Sequence, residues 1–201
     1  MPIPKITSED HKKLKVEVQT TKHLQELFEI VMHAEQHFQI YEVLVNSDDR
    51  AKFEGCMNRF AEFFQPTIKA HLEAIIMSLW CIYDNDDHIS IQRVLQETSQ
   101  WIAASAAISN FKKRVMKMQS TTKKIYTIRH NVLAHRSVKL TPEKAFERAA
   151  VSRRDLRQLI DGTKILINEI GELIGWHGTA LFDSAASTRN LLNTLQQVAE
   201  S

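Results

Sequence analysis

Helix breakers are scarce in this chain. Its 201 residues include five glycines and four prolines. All-β folds turn often and draw on Gly and Pro for their turns, so the scarcity argues for a helical protein. Cysteine is scarcer still. Cys56 and Cys81 are the only two. Each falls inside an apolar helical pattern, and neither has a Cys or His at zinc-ligand spacing. They read as reduced core thiols, in keeping with a reducing cytoplasm. No apolar run reaches the roughly 18 residues that a membrane span needs. Met1 to Val18 lacks the apolar stretch of a signal peptide, so a cytoplasmic setting is expected. Gly-rich phosphate loops, a Gly-x-Ser-x-Gly elbow and kinase or dinucleotide fingerprints are missing too, and no cofactor is expected.

One further absence is local. Residues 98–142 hold nine Lys/Arg and no Asp or Glu, a balance of +9, against −6 for residues 1–97 and −1 for residues 143–201. The net charge of +2 hides this. Such a block is either a surface for a polyanion or a solvated face neutralised by the acidic N-terminal half.

Apolar spacing supplies the architecture. Met1 to Thr7, with two prolines, reads as a loose arm, and residues 1–20 as a whole precede the domain of residues 21–201. From Thr21 to Val45, Leu24, Leu27, Phe28, Val31, Phe38, Tyr41 and Leu44 (or Val45) follow three-and-four spacing. Asn46 to Asp49 is a capped turn. A second helix is expected from Arg50 to Tyr83, kinked or broken at Pro66. Its later part, through Leu72, Ile75, Ile76, Leu79, Trp80 and Ile82, is apolar on most sides and so central. Ser90 caps a helix from Ile91 to Ala104, and another runs from Ile108 to Arg136. Thr141-Pro142 marks a new start. Ser152 to Asp155 resembles a capping box opening a helix that Gly175 to Gly178 ends, and Ser184 to Ala199 is the last. The reading is an all-α, single-domain bundle of about six to seven helices.

Three clusters bear on chemistry. In Arg129 to His135, a straight helix places His135 on the stripe of Ile125, Ile128 and Val132, with Arg129 at its edge and Asn131 within reach. An imidazole that moves a proton near neutral pH, beside a guanidinium that holds phosphate, is the minimum for metal-independent RNA cleavage. The bland reading is a partly buried His at a helix end, bonded to Asn131. Lys112, Lys113, Lys117, Lys123, Lys124 and Arg136 flank the cluster and would steer RNA. The second cluster, Asp84 to His88, is either a Mg²⁺ or Ca²⁺ loop or a turn whose acids favour the next helix dipole. It lacks the Gly and closing Glu of an EF-hand. The third, His33 and His37, puts two imidazoles on one face, a zinc pair without an evident third ligand, or simply a polar face.

Tyr126-Thr127-Ile128-Arg129-His130-Asn131-Val132-Leu133-Ala134-His135-Arg136 resembles the signature of HEPN proteins. That signature is Arg, four to six residues with a polar one directly after the Arg, then His; here the gap is five and His130 fills the polar position. Leu79-Trp80-Cys81-Ile82-Tyr83-Asp84, the acidic loop, and Ile89-Ser90-Ile91-Gln92-Arg93-Val94-Leu95 resemble the helix–Asp–loop–Ser–helix passage of the abortive-infection (AbiU-like) branch. The resemblance spans residues 20 to 175. It implies a metal-independent endoribonuclease, with Arg129 on the scissile phosphate, His135 as general acid or base, and His130 and Asn131 orienting them. It also implies a homodimer with a composite site, and a toxin or phage-defence role in which a cognate antitoxin can be a partner. The spacing agrees with a dimer, since six positions on a straight helix leave Arg129 and His135 roughly 120° apart. A non-catalytic helical module that binds RNA or a protein partner is the alternative.

Overall fold

The computed structural model describes residues 8–84, 89–102, 105–130, 149–179 and 182–200. Seven helices and no strand occupy them: α1 (Ser8–Val45), α2 (Ser47–Arg59), α3 (Ala61–Tyr83), α4 (Ile91–Trp101), α5 (Ser105–Ile128), α6 (Arg153–Ile174) and α7 (Ser184–Glu200). No helix among the described residues is long and apolar enough to cross a membrane.

Helix α1 is the spine. At 38 residues it is about 57 Å long, and it touches α2, α3, α4, α6 and α7. The expected stripe is what it buries: Leu24, Leu27, Val31, Phe38 and Leu44 are at most 3% exposed. It starts earlier than its apolar pattern, however. Residues 8–20, expected ahead of the domain, continue the same helix. Leu14 and Val18 there are exposed, so this part is held by helix-forming Glu, Lys, Leu and Gln and by continuity with the packed turns, not by burial.

The next expectation also shifts. One helix over residues 50–83 becomes two, and the break is at Phe60 (φ −112°, ψ 36°), upstream of Pro66, which lies inside α3. The Phe60 amide still donates to the Cys56 carbonyl, while the Phe60 carbonyl accepts from Phe63 and Phe64. The chain thus turns before the proline, and Pro66 lies inside the new helix, where it offers no amide to the helix ladder. Phe53, Cys56, Met57 and Phe64 then close a small core with Val43, Leu44 and Leu192. Cys56 is buried and Cys81 half-buried, and both are free thiols.

The capping assignments hold. Asn46 accepts from the Asp48 amide and Ser90 from the Arg93 amide. Ser152 and Asp155 form a complete capping box at α6, whose far end is closed by Gly175 in the left-handed conformation (φ 71°). Trp176 then folds back so closely that a Cβ on Gly171 would lie 2.6 Å from its carbonyl oxygen. The Thr141-Pro142 start lies outside the described residues.

A buried charge ties α1 to α6. Glu35 is 5% exposed. Its carboxylate accepts from Arg157 through both oxygens, from Gln39 at 2.9 Å and from Lys164 at 3.2 Å. Burial alone would raise its pKa, but the Arg157 and Gln39 hydrogen bonds and the Arg157 and Lys164 charges outweigh that and bring it down to about 2. The folded pKa is below the ordinary 4.5, so the stabilisation is complete above pH 4.5 and is lost as pH falls toward 2. Glu35→Gln should therefore cost on the order of 3 kcal/mol at pH 7 and little at pH 2. Urea unfolding of both proteins across that range checks this; a pH-independent difference would refute it.

Candidate active site

The cation-rich helix α5 leans on α3, α4 and α6. Its inner side is apolar: Phe111, Val115, Ile125 and Ile128 are buried in the main core. Ile125 and Ile128 are therefore spent inside the subunit and do not form an exposed seam. After Ile128 the backbone widens, and Arg129 and His130 wind as a π turn. The helix expected through Arg136 is described only as far as His130. Asn131, His135 and Arg136 lie outside the described residues.

Arg129 is positioned by Trp80 of α3. Its guanidinium carbon stands 4.0 Å from the indole centroid, a cation–π contact that holds the planar fork flat. Among the described residues, Arg129 Nε and Trp80 Nε1 are both buried and meet no acceptor. Buried donors without a partner are uncommon in folded proteins. His130 is exposed and lies parallel to the Tyr126 ring, with centroids 6.0 Å apart and planes 5° apart.

Trp80 also forms a wall of a cleft of about 390 Å³ between α3, α4 and α5, shared with Tyr83, Asp84, Gln92, Lys123 and Tyr126. Asp84 closes α3, its amide donating to the Trp80 carbonyl. The aspartate of the helix–Asp–loop–Ser–helix passage thus shares a cleft with the platform of the motif arginine. Asn85 to His88 of the acidic loop lie outside the described residues.

The cleft floor is pinned to α6. The Thr163 hydroxyl lies 2.6 Å from the Leu159 carbonyl and 2.7 Å from the Tyr83 hydroxyl, which also reaches the Met118 sulfur at 3.1 Å. Burial pushes the Tyr83 phenol up to about 12, despite the Thr163 hydrogen bond. It is therefore a neutral hydrogen-bond donor at any ordinary pH.

The basic residues divide into two groups. Lys112, Lys113, Lys117 and Lys123 are exposed. Lys124 is half-buried, donates to the Ala150 carbonyl at 3.0 Å and pairs with Asp155 at 3.5 Å. Arg114 pairs with Glu169. Helix α6 supplies the acids that the 98–142 window lacks, but only to its inner side. Outside, Lys112, Met116, Lys123, Tyr126 and His130 recur at helical steps, with Met116 63% and Tyr126 55% exposed.

A family model described as AbiU2, of the HEPN class, matches residues 15–189. The chain belongs to the AbiU2 family of HEPN proteins. No curated protein and no solved structure matches it. The match covers both patches of the sequence resemblance, and the all-α bundle is that of an abortive-infection HEPN-type module. Sequence reasoning did not single out Trp80 as the seat of the AbiU2 motif arginine, nor Tyr126 and Gln92 as cleft walls. Tyr126 was legible as the residue one turn before His130; Trp80 was not, since its pairing with Arg129 is purely tertiary.

Removing the Tyr83 hydroxyl tests the floor of this cleft. Tyr83→Phe should lower stability by about 1 kcal/mol, the net worth of one buried hydrogen bond. Denaturant unfolding at pH 7 reads it directly, and an unchanged midpoint would mean that the Thr163 link carries nothing.

Proposed function

We propose that this AbiU2-family protein is an endoribonuclease of toxin or phage-defence type that cleaves cytoplasmic RNA without a metal ion. The observation that carries the reading is Arg129, its guanidinium carbon 4.0 Å from the ring centroid of the cleft residue Trp80, with a buried Nε that meets no acceptor among the described residues. A scissile phosphate brings the oxygens such a fork takes in pairs. Arg129 stabilises the charge that builds on the phosphorane. His135 moves the proton to or from the reacting oxygens, and Asn131 and His130 orient the pair. The π turn supports the placement, since such turns concentrate at functional sites.

The exposed face of α5 is the approach. Lys112, Lys113, Lys117 and Lys123 bind phosphates, Arg136 extends the track beyond the described residues, and Tyr126 offers a ring for a base. Lys124 serves the fold instead, being held by Asp155 and Ala150. The active form is a homodimer in which two motif helices complete one cleft, and a cognate antitoxin is a natural partner for a chain of this kind. A second reading, an RNA-binding module without turnover, draws on the same exposed cations and Tyr126.

Purified protein incubated with RNA in EDTA separates the two readings. Cleavage that persists in EDTA and falls by at least about a hundredfold in Arg129→Ala is expected for the enzyme; binding without cleavage leaves the module. Mixing Arg129→Ala with His135→Ala chains should restore part of the activity if one site draws on both subunits. A monomer cleaving at full rate refutes the composite site.

Charge reversal at Lys112, Lys113 and Lys117 should weaken RNA binding and flatten its dependence on salt by about two in log–log slope for a single strand. Lys124→Gln should leave that slope unchanged. If the triple reversal changes neither affinity nor slope, α5 presents only a solvated face.

A further inference from the structure

His33 and His37 sit one turn apart on α1, and the fold adds a third imidazole, His71 of α3. The two α1 rings meet edge to face, with their Nε2 atoms 3.0 Å apart. Each ring is held from behind through its other nitrogen. His33 Nδ1 is 3.2 Å from the Ser78 hydroxyl and His37 Nδ1 is 2.7 Å from His71 Nδ1. His71 therefore approaches the far edge of His37, and three rings do not converge on one point. Accordingly, no group of three potential ligands is gathered for a metal ion among the described residues.

What remains is a two-nitrogen chelate with both supports in place. Metal–imidazole bonds of about 2.0–2.1 Å put two cis nitrogens about 2.9 Å apart at a right angle and about 3.3 Å apart at a tetrahedral angle. The observed 3.0 Å falls between these. Histidines that bind metal characteristically give their second N–H to an acceptor that fixes ring and tautomer. Ser78 Oγ and His71 Nδ1 stand where those acceptors belong. Both supports come from α3, so the pair on α1 is oriented by tertiary structure and not by helix spacing alone.

We propose that His33 Nε2 and His37 Nε2 bind one divalent late first-row transition cation, with water completing its coordination, and that Ser78 and His71 position the two ligands. The proton count is neutral. In the metal-free chain the three rings carry three hydrogens, one of them between the two Nε2 atoms. In the bound form His33 Nδ1–H donates to Ser78 and His37 Nδ1–H donates to His71, whose own hydrogen moves to Nε2. Imidazole donors favour Cu²⁺ over Ni²⁺ and Zn²⁺ and have little use for Mg²⁺.

The proposal is independent of RNA cleavage, and its readout is the metal itself. Cu²⁺ titrated into the full chain at pH 7 should bind at one equivalent, with an electron paramagnetic resonance spectrum carrying the splitting of two imidazole nitrogens. His33→Ala and His37→Ala should each abolish that two-nitrogen signal. His71→Ala should keep it while weakening binding by about 10–100-fold. Helical circular dichroism of each variant verifies folding, and Ni²⁺ or Zn²⁺ should raise the melting temperature of the wild type but not of His33→Ala. Binding that survives both α1 substitutions, that tracks His177 or His130 instead, or that is matched by Mg²⁺ overturns the proposal. No binding by the wild type would leave a proton as the only bridge between the two rings, which also overturns it.

Discussion

The structure depends on α3 being covered on two sides. One side lies along α1, where Ile75, Ile76, Leu79 and Ile82 enter the main core with Leu24, Leu27 and Val31. The other meets α5 and carries Trp80, Tyr83 and, at its end, Asp84. From residue 71 to 83 no position of α3 is exposed, so the few polar atoms there are placed where neighbours or a ligand meet them. The bearing of Arg129 is set by where Trp80 stands. The same helix supplies His71 and Ser78 to the imidazoles of α1.

Charge obeys a similar division. In the bundle interior Arg157 and Lys164 of α6 close over the Glu35 carboxylate. Two further α6 acids, Asp155 and Glu169, take up Lys124 and Arg114 of α5. The acid-free window is thus neutralised on the side that faces protein and left positive on the side that faces solvent.

Much of this was written locally. Ser90, Ser152 with Asp155, and Gly175 act through atoms within a few residues of themselves, and each did what its spacing indicated. The stripe from Leu24 to Leu44 was legible because burial repeats with the helix. The misses share a cause in tertiary context. Residues 8–20 carry no stripe, so a helix sustained by propensity and continuity gave no apolar signal. The break at Phe60 rather than Pro66 reflects where the chain must turn to bring Phe53 and Phe64 into one cluster. At the site, Arg129 and His130 were visible as a motif, but the indole beneath Arg129 and the ring beside His130 were not. Which cations would be free could not be read either, since Lys123 and Lys124 are neighbours in sequence with opposite fates.

The π turn at Arg129–His130 places a wider turn directly after Ile128, a fully buried residue of α5. The indole under Arg129 belongs to α3, and the ring beside His130 to the preceding turn of α5 itself. Two side chains that are neighbours in sequence are thus held from different elements. A small slide of α3 along α5 would shift the seat of the arginine and leave that of the histidine where it is.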